Sequence, residues 1–279
     1  MAKKQTTKST IVGSPLTPAL LKELHVVDEF PATPKEFDPQ ANWVNTYRIW
    51  TCHGFRETGN QNVGFMRIER SAGKSNTAFT LKVHKEAAEA DGIVNVIDAE
   101  IQCQYDQLAS PVRWRLSSRF IGPDGHSQEE LSIQEKTQIE ENIMILQTGS
   151  RTLRRKVPSR LTCDFSIFEA VQRLKFDKET SLSFDMLEGL SLLKQGQQLS
   201  YRGDYPMNLN SNNVSLHRFD QLGDGILPYE YWLDNNHRLV AVTSMNKAYI
   251  LDDQAEKTIR QRIEQLRKFY RKSKSAVRK

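Results

Sequence analysis

The sequence predicts a mainly β protein built on one large antiparallel sheet, open or rolled, with one helix packed on it and a second, basic helix at the C-terminus. Two observations carry this. Apolar residues recur with a period of two in many short runs separated by turn residues, the pattern of half-buried strands. The period changes to that of a helix in only a few places.

Residues 1–40 read as an N-terminal arm, ended by Pro31, Pro34 and Pro39. Within it, Pro18–Leu24 predicts a short helix with Thr17 as N-cap and Pro18 in the first helical position. The β domain is expected over 41–252. Its first strand carries Trp43, Tyr47, Ile49 and Phe55 on one face and Val44, Trp50 and Cys52 on the other, so both faces are expected to be covered. A strand over Val63–Glu69 leads into the turn Ser71-Ala-Gly-Lys-Ser75, and Thr77, Phe79, Leu81 and Val83 begin the return. The clearest alternation sets Val112, Trp114, Leu116, Ser118 and Phe120 against Arg113, Arg115, Ser117 and Arg119. Further strands are expected at 131–137, 142–148, 151–157, 181–187, 197–203, 214–219, 228–233 and 238–244, the last two joined through Asp234-Asn-Asn-His237. An inserted helix near 166–175 follows from Ser166 and Glu169 as a capping box ahead of Ile167, Phe168, Val171 and Leu174. The last helix, within 253–279, is expected to be capped by Asp253 with Glu256 and to present Ile259, Ile263, Leu266 and Tyr270 as one apolar stripe.

Composition bounds the function. The chain has 279 residues, 38% hydrophobic and 26% charged, which suits a folded core and not a disordered segment. Its net charge of +5 is uneven: Gln254–Lys279 carries +8, so the remainder is mildly acidic. No apolar run is long enough for a membrane-spanning helix. Lys3, Lys4 and Lys8 precede an apolar stretch broken by Pro15 and Pro18, which does not make an export signal, so by itself the chain reads as cytoplasmic. Cys52, Cys103 and Cys163 are sparse and odd in number. They read as small buried side chains, with pairing of two left open for an exported protein.

Catalytic and metal signatures are missing from the sequence. Ala72-Gly-Lys-Ser75 lacks the leading glycine of a phosphate-binding loop, since position 68 is Ile, and reads as a hairpin turn. No two histidines lie within metal-ligand spacing, and no GxSxG occurs. The acidic pairs Glu129-Glu130 and Glu140-Glu141 are adjacent, so on a strand they face opposite ways. No enzyme activity, metal or cofactor is therefore expected.

Tyr201-Arg-Gly-Asp-Tyr205, His217-Arg-Phe219, Leu227-Pro-Tyr-Glu-Tyr-Trp-Leu-Asp234, Asn236-His-Arg-Leu-Val240 and Ala248-Tyr-Ile-Leu251 follow one another in a recurring order. In this order the chain resembles uncharacterised bacterial proteins whose sheet is similar to that of the periplasmic lipoprotein-localisation carriers. The resemblance implies a large curved sheet, an open or half-closed barrel, with a helix against or inside its concave face. It also implies an exported or periplasmic setting and a concavity that holds acyl chains.

Two functions follow as expectations. One is a non-enzymatic binding protein for a lipid or other hydrophobic small molecule, lined by Phe79, Trp114, Leu116, Phe120, Phe184, Tyr231 and Trp232. The other is a scaffold whose C-terminal helix meets an anionic membrane surface or nucleic acid through Arg260, Arg262, Arg267, Lys268, Arg271 and Lys272.

Overall fold

A computed structural model of the chain describes residues 16–55, 60–73, 77–88, 92–209 and 212–277. Fifteen strands form a single sheet that does not close into a barrel. In chain order they are β1 (Trp43–Phe55), β2 (Asn60–Ala72), β3 (Ala78–Ala88), β4 (Val94–Gln104), β5 (Pro111–Ile121), β6 (Ile133–Glu140), β7 (Ile143–Thr148) and β8 (Arg151–Lys156). There follow β9 (Leu161–Cys163), β10 (Ser181–Glu188), β11 (Leu192–Leu209), β12 (Asn212–Leu222), β13 (Tyr229–Leu233), β14 (Leu239–Thr243) and β15 (Lys247–Leu251). The spatial order is two meanders joined where β1 pairs with β15, with β8 at one edge and β9 at the other. Every pair is antiparallel except β9 with β10. The fold is thus the expected open sheet, with one parallel pair at its edge.

The sheet buries both faces over much of its width. Inward-facing Tyr47, Ile49, Ile68, Leu81, Ile101, Trp114, Phe219, Tyr231 and Val242 form the main core with the segment Val157–Leu174. That segment carries helix α2 (Ile167–Ala170) and a following 3-10 turn, Val171–Arg173. On the outer face, helix α1 (Pro18–Glu23) lays Leu21 and its neighbours Leu16 and Val27 over Trp50, Ala248 and Ile250. Thr17 caps it as expected, its Oγ1 accepting from the Leu20 amide at 3.2 Å. Trp50 under α1 and Tyr47 in the core cover β1 on both faces at its middle, but Val44, 46% exposed, and the exposed Cys52 are not covered as expected, because α1 reaches only the strand's centre; the burial of Phe55 falls outside the described residues. Helix α3 (Ala255–Val277) crosses the outer face of β2–β5, with Ile259, Ile263 and Leu266 against Phe65, Val94, Val96 and Ile121.

Further details differ from the expectations. The Ser166 side chain does not cap α2; its Oγ accepts from the Cys163 amide at 3.1 Å, and Glu169 turns to two arginines instead. The aspartate bonded at the entrance to α3 is Asp252, whose Oδ1 accepts from the Gln254 amide at 2.9 Å, while Asp253 faces Arg238. Strand β4 was not expected, because its buried residues change face midway. Val94 and Val96 lie beneath α3, whereas Ala99, Ile101 and Cys103 enter the main core, so no single period of two runs through it. Cys103 and Cys163 are buried free thiols, as expected, their pKa pushed up by burial, but Cys52 is an exposed free thiol and not the buried side chain expected. The tip of the turn at 74–76 lies outside the described residues. No helix among the described residues is long and apolar enough to cross a membrane.

Candidate functional site

The concave face is occupied by the chain itself. Phe168 of α2 stands edge-on to Tyr47, Tyr231 and Tyr249, at ring-centroid distances of 5.3, 6.3 and 5.5 Å. Polar side chains fix this plug. Arg70 on β2 donates from Nε to Glu169 Oε1 at 3.0 Å, and Arg173 Nε lies 2.9 Å from the same oxygen. Both members of the Arg70–Glu169 pair have fully buried side chains. Arg70 also donates to the Gln40 and Ala41 carbonyls of the arm, and its guanidinium lies 4.4 Å from the Phe79 ring centroid. Gln172 accepts from the Leu239 amide at 3.1 Å, tying the plug to β14. Beyond the plug, the Phe176 ring is sandwiched between His217 and His237 at 3.7 and 3.9 Å. Burial, with His217 nearby, lowers the His237 pKa.

Between the plug and the inner face remains a chamber of about 60 Å³. Its walls are largely aromatic and sulfur-bearing: Phe165, Phe168, Met66, Met186, Tyr229, Tyr231 and Tyr249. Its polar edge includes Asp164, Lys85 and Gln221. Gln221 Oε1 accepts from the Tyr231 hydroxyl at 2.6 Å. Asp164 Oδ2 accepts from the Gly189 amide at 3.0 Å, while its buried Oδ1 has no hydrogen-bond partner among the described residues. The Asp164 side chain is only half buried as a whole, yet this sealed oxygen accounts for the carboxyl being raised to about 6 by desolvation.

Among the residues expected to line a ligand site, only Tyr231 reaches this chamber. Phe79, Trp114, Leu116 and Phe184 belong to the packed core around it, and Phe120 is half buried outside that core. Trp232 is on the opposite face from Tyr231, because neighbours on a strand point opposite ways. There its indole donates to Thr243 Oγ1 at 3.0 Å and packs with Tyr205 and the Arg218 guanidinium. The remaining wall residues come from four strands and the plug, a convergence that periodicity within one strand cannot reveal.

The cations expected to meet an anionic surface are distributed unequally. Arg260 bonds Glu86 and Glu256, and its guanidinium lies over Phe65. Arg267 pairs with Glu264, Arg262 is half buried and Lys268 is exposed. The side chains of Arg271 and Lys272 lie outside the described residues. A depression of about 760 Å³ opens on the outer face of β2–β7 beside α3. Its charges run in cross-strand rows such as Glu69, Lys82, Glu100, Arg115 and Lys136, and His84 sits between Asp98 and Glu86. Signs alternate from Glu69 to Arg115, and only Arg115 beside Lys136 repeats one, so the row is largely a solvated, self-compensating face. Among the described residues, no group of His, Cys, Asp and Glu could hold a metal ion.

No protein-family model matches the chain, and no curated protein matches its sequence. Among solved structures, the fold is similar to that of a beta-barrel-like protein of the domain of unknown function DUF1849 from Brucella abortus. The TM-score is 0.50 at 8% identity, over 76% of this chain and 96% of that one. The likeness is one of fold alone: a β-barrel-like sheet of unestablished function.

Proposed function

We propose that this chain is a non-enzymatic binding protein for a hydrophobic ligand, received between the plug and the inner face of the sheet. The observation that supports this reading is the aromatic chamber beside Phe168. Such walls favour apolar groups, and the polar edge at Asp164, Lys85 and Gln221 provides for one polar end. Its volume of about 60 Å³, well below the roughly 150 Å³ of a cavity that holds benzene, leaves room for the end of a chain and not for a whole lipid. A longer acyl chain enters only as the plug segment yields, which the likeness to lipoprotein carriers makes the natural class to try. Native mass spectrometry of gently purified protein, set against its denatured mass, tests this. A hydrophobic adduct lost on denaturation, and retained less by Tyr231→Ala, is the expected result. A clean mass, with no uptake of added decanoate or palmitate, overturns it.

A second reading, contact with an anionic surface through α3, is favoured by exposed Lys268, which has no partner among the described residues. Salt-sensitive binding to phosphatidylglycerol vesicles, weakened by K268E, is its signature. Arg260 contributes little in this reading, being held by Glu86.

A further inference from the structure

At the edge of the sheet opposite the parallel pair lies β8, and its six residues, Arg-Thr-Leu-Arg-Arg-Lys, are all exposed. Among the described residues it pairs with β7 alone, so its other side presents unpaired backbone donors and acceptors over roughly 20 Å. Arg151, Arg154, Arg155 and Lys156 have no ion-pair partner among the described residues. Glu140 and Glu141 border the same shallow depression as Arg154 without pairing with it. Leu153, 58% exposed, sits between Arg151 and Arg155 on one face, while Thr152, Arg154 and Lys156 share the other.

Charged side chains, lysine above all, protect edge strands from unwanted pairing. Four uncompensated cations around an exposed leucine exceed that need, and their mutual repulsion persists in the free protein. We propose that β8 is a docking edge for an extended acidic segment of a partner protein, added to the sheet as an antiparallel strand. Charge selects this occupant. A second copy joined β8 to β8 would set four cations against four. The chain's own residues 1–15 carry Lys3, Lys4 and Lys8 and no acidic residue. The alternation of β8 also sets the partner's pattern: acidic side chains opposite Arg151 and Arg155 flanking an apolar one opposite Leu153, with acidic groups opposite Arg154 and Lys156 on the other face.

The test uses the full chain and an acetylated, fluorescein-labelled peptide whose central residues are Glu-Glu-Glu-Val-Thr-Glu, followed by fluorescence anisotropy. The expected result is saturable binding that falls about tenfold or more in the double variant R154E/R155E, whose fold is checked by circular dichroism. The same peptide N-methylated at alternate backbone amides should bind at least tenfold more weakly. Hydrogen exchange of the β8 amides should slow in the wild-type complex. Equal binding of the N-methylated peptide, tighter binding of a single-stranded oligonucleotide of equal charge, or no binding at about 1 mM peptide overturns the proposal.

Discussion

Arg70 and Glu169, 99 positions apart in the sequence, meet at 3.0 Å with no part of either side chain exposed. The pair fastens the plug to β2, and Arg173 holds the same carboxylate from one turn further along. Burial pushes the Glu169 carboxyl upward against the pull of Arg173 and Arg70. Two buried guanidiniums depend on one acid here, so removing the acid strands both. Breaking a buried ion pair from one side costs about 3–5 kcal/mol. Glu169→Gln is expected to lose stability in that range in urea unfolding. The double variant R70M/E169M should lose less than the sum of its single variants. Additive losses would show that the two side chains are not energetically coupled.

The chamber predicts a trade between stability and binding at Phe168. Truncating this ring removes edge-on contacts with three tyrosines, and large-to-small changes of a buried phenylalanine cost about 3–5 kcal/mol. The vacated space adjoins the chamber, so Phe168→Ala is expected to unfold at lower urea and to take up decanoate more tightly than the wild type. Isothermal titration at a temperature where the variant remains folded reads the second effect. Unchanged uptake would place the ligand elsewhere.

Strands that bury one face alone were legible because they alternate cleanly, as in Trp114 and Leu116 against Arg113 and Arg115. The apolar stripe of α3 was legible for the same reason, and it docks through Ile259 and Ile263. Strand β4 escaped because half of each face is buried by a different partner. The capping box at Ser166 misled in its chemistry though not in its place: a glutamate three residues on also suits a buried ion pair, and its partner Arg70 lies on a distant strand. The chamber was illegible apart from Tyr231. Asp164, Tyr229 and Tyr249 converge only once the curvature of the sheet and the path of the plug are set.

Raised groups, Asp164 and His84 with the carboxyls of Glu169 and Glu135, predict a stability that declines as pH rises. The Asp164 carboxyl stands at about 6 in the fold, against roughly 3.9 in an unfolded chain. The folded state therefore binds this proton more firmly, and its contribution is full below the unfolded value and lost as pH climbs through about 6. His84 is raised chiefly by its bond to Glu86, with Asp98 assisting against desolvation. Its contribution is present below the unfolded value and lost as pH rises through the raised one. Urea midpoints should fall from pH 5 to pH 8. Asp164→Asn should reduce that decline between pH 4 and 6.5, leaving the part carried by His84, Glu169 and Glu135. An unchanged slope in the variant would remove Asp164 as its source.

The far end of α3 rests on a glycine. Gly92, in the β3–β4 connection, has φ +72°, and a Cβ there would come within 2.9 Å of the Tyr270 ring. Alanine meets two penalties at this position, a left-handed backbone and a displaced ring, and the first alone costs about 1–2 kcal/mol. Because Ile263 and Ile259 lie about two and three turns earlier, the damage should stay local. Gly92→Ala is expected to speed hydrogen exchange in α3 around residues 266–270 while leaving amides near 259 protected. Tyr270→Ala in the same background should recover part of the lost stability by removing the collision. If instead the whole helix exchanges faster, α3 undocks as one unit, and the contact at Gly92 governs the cover over Phe65 and Val96 as well as its own end.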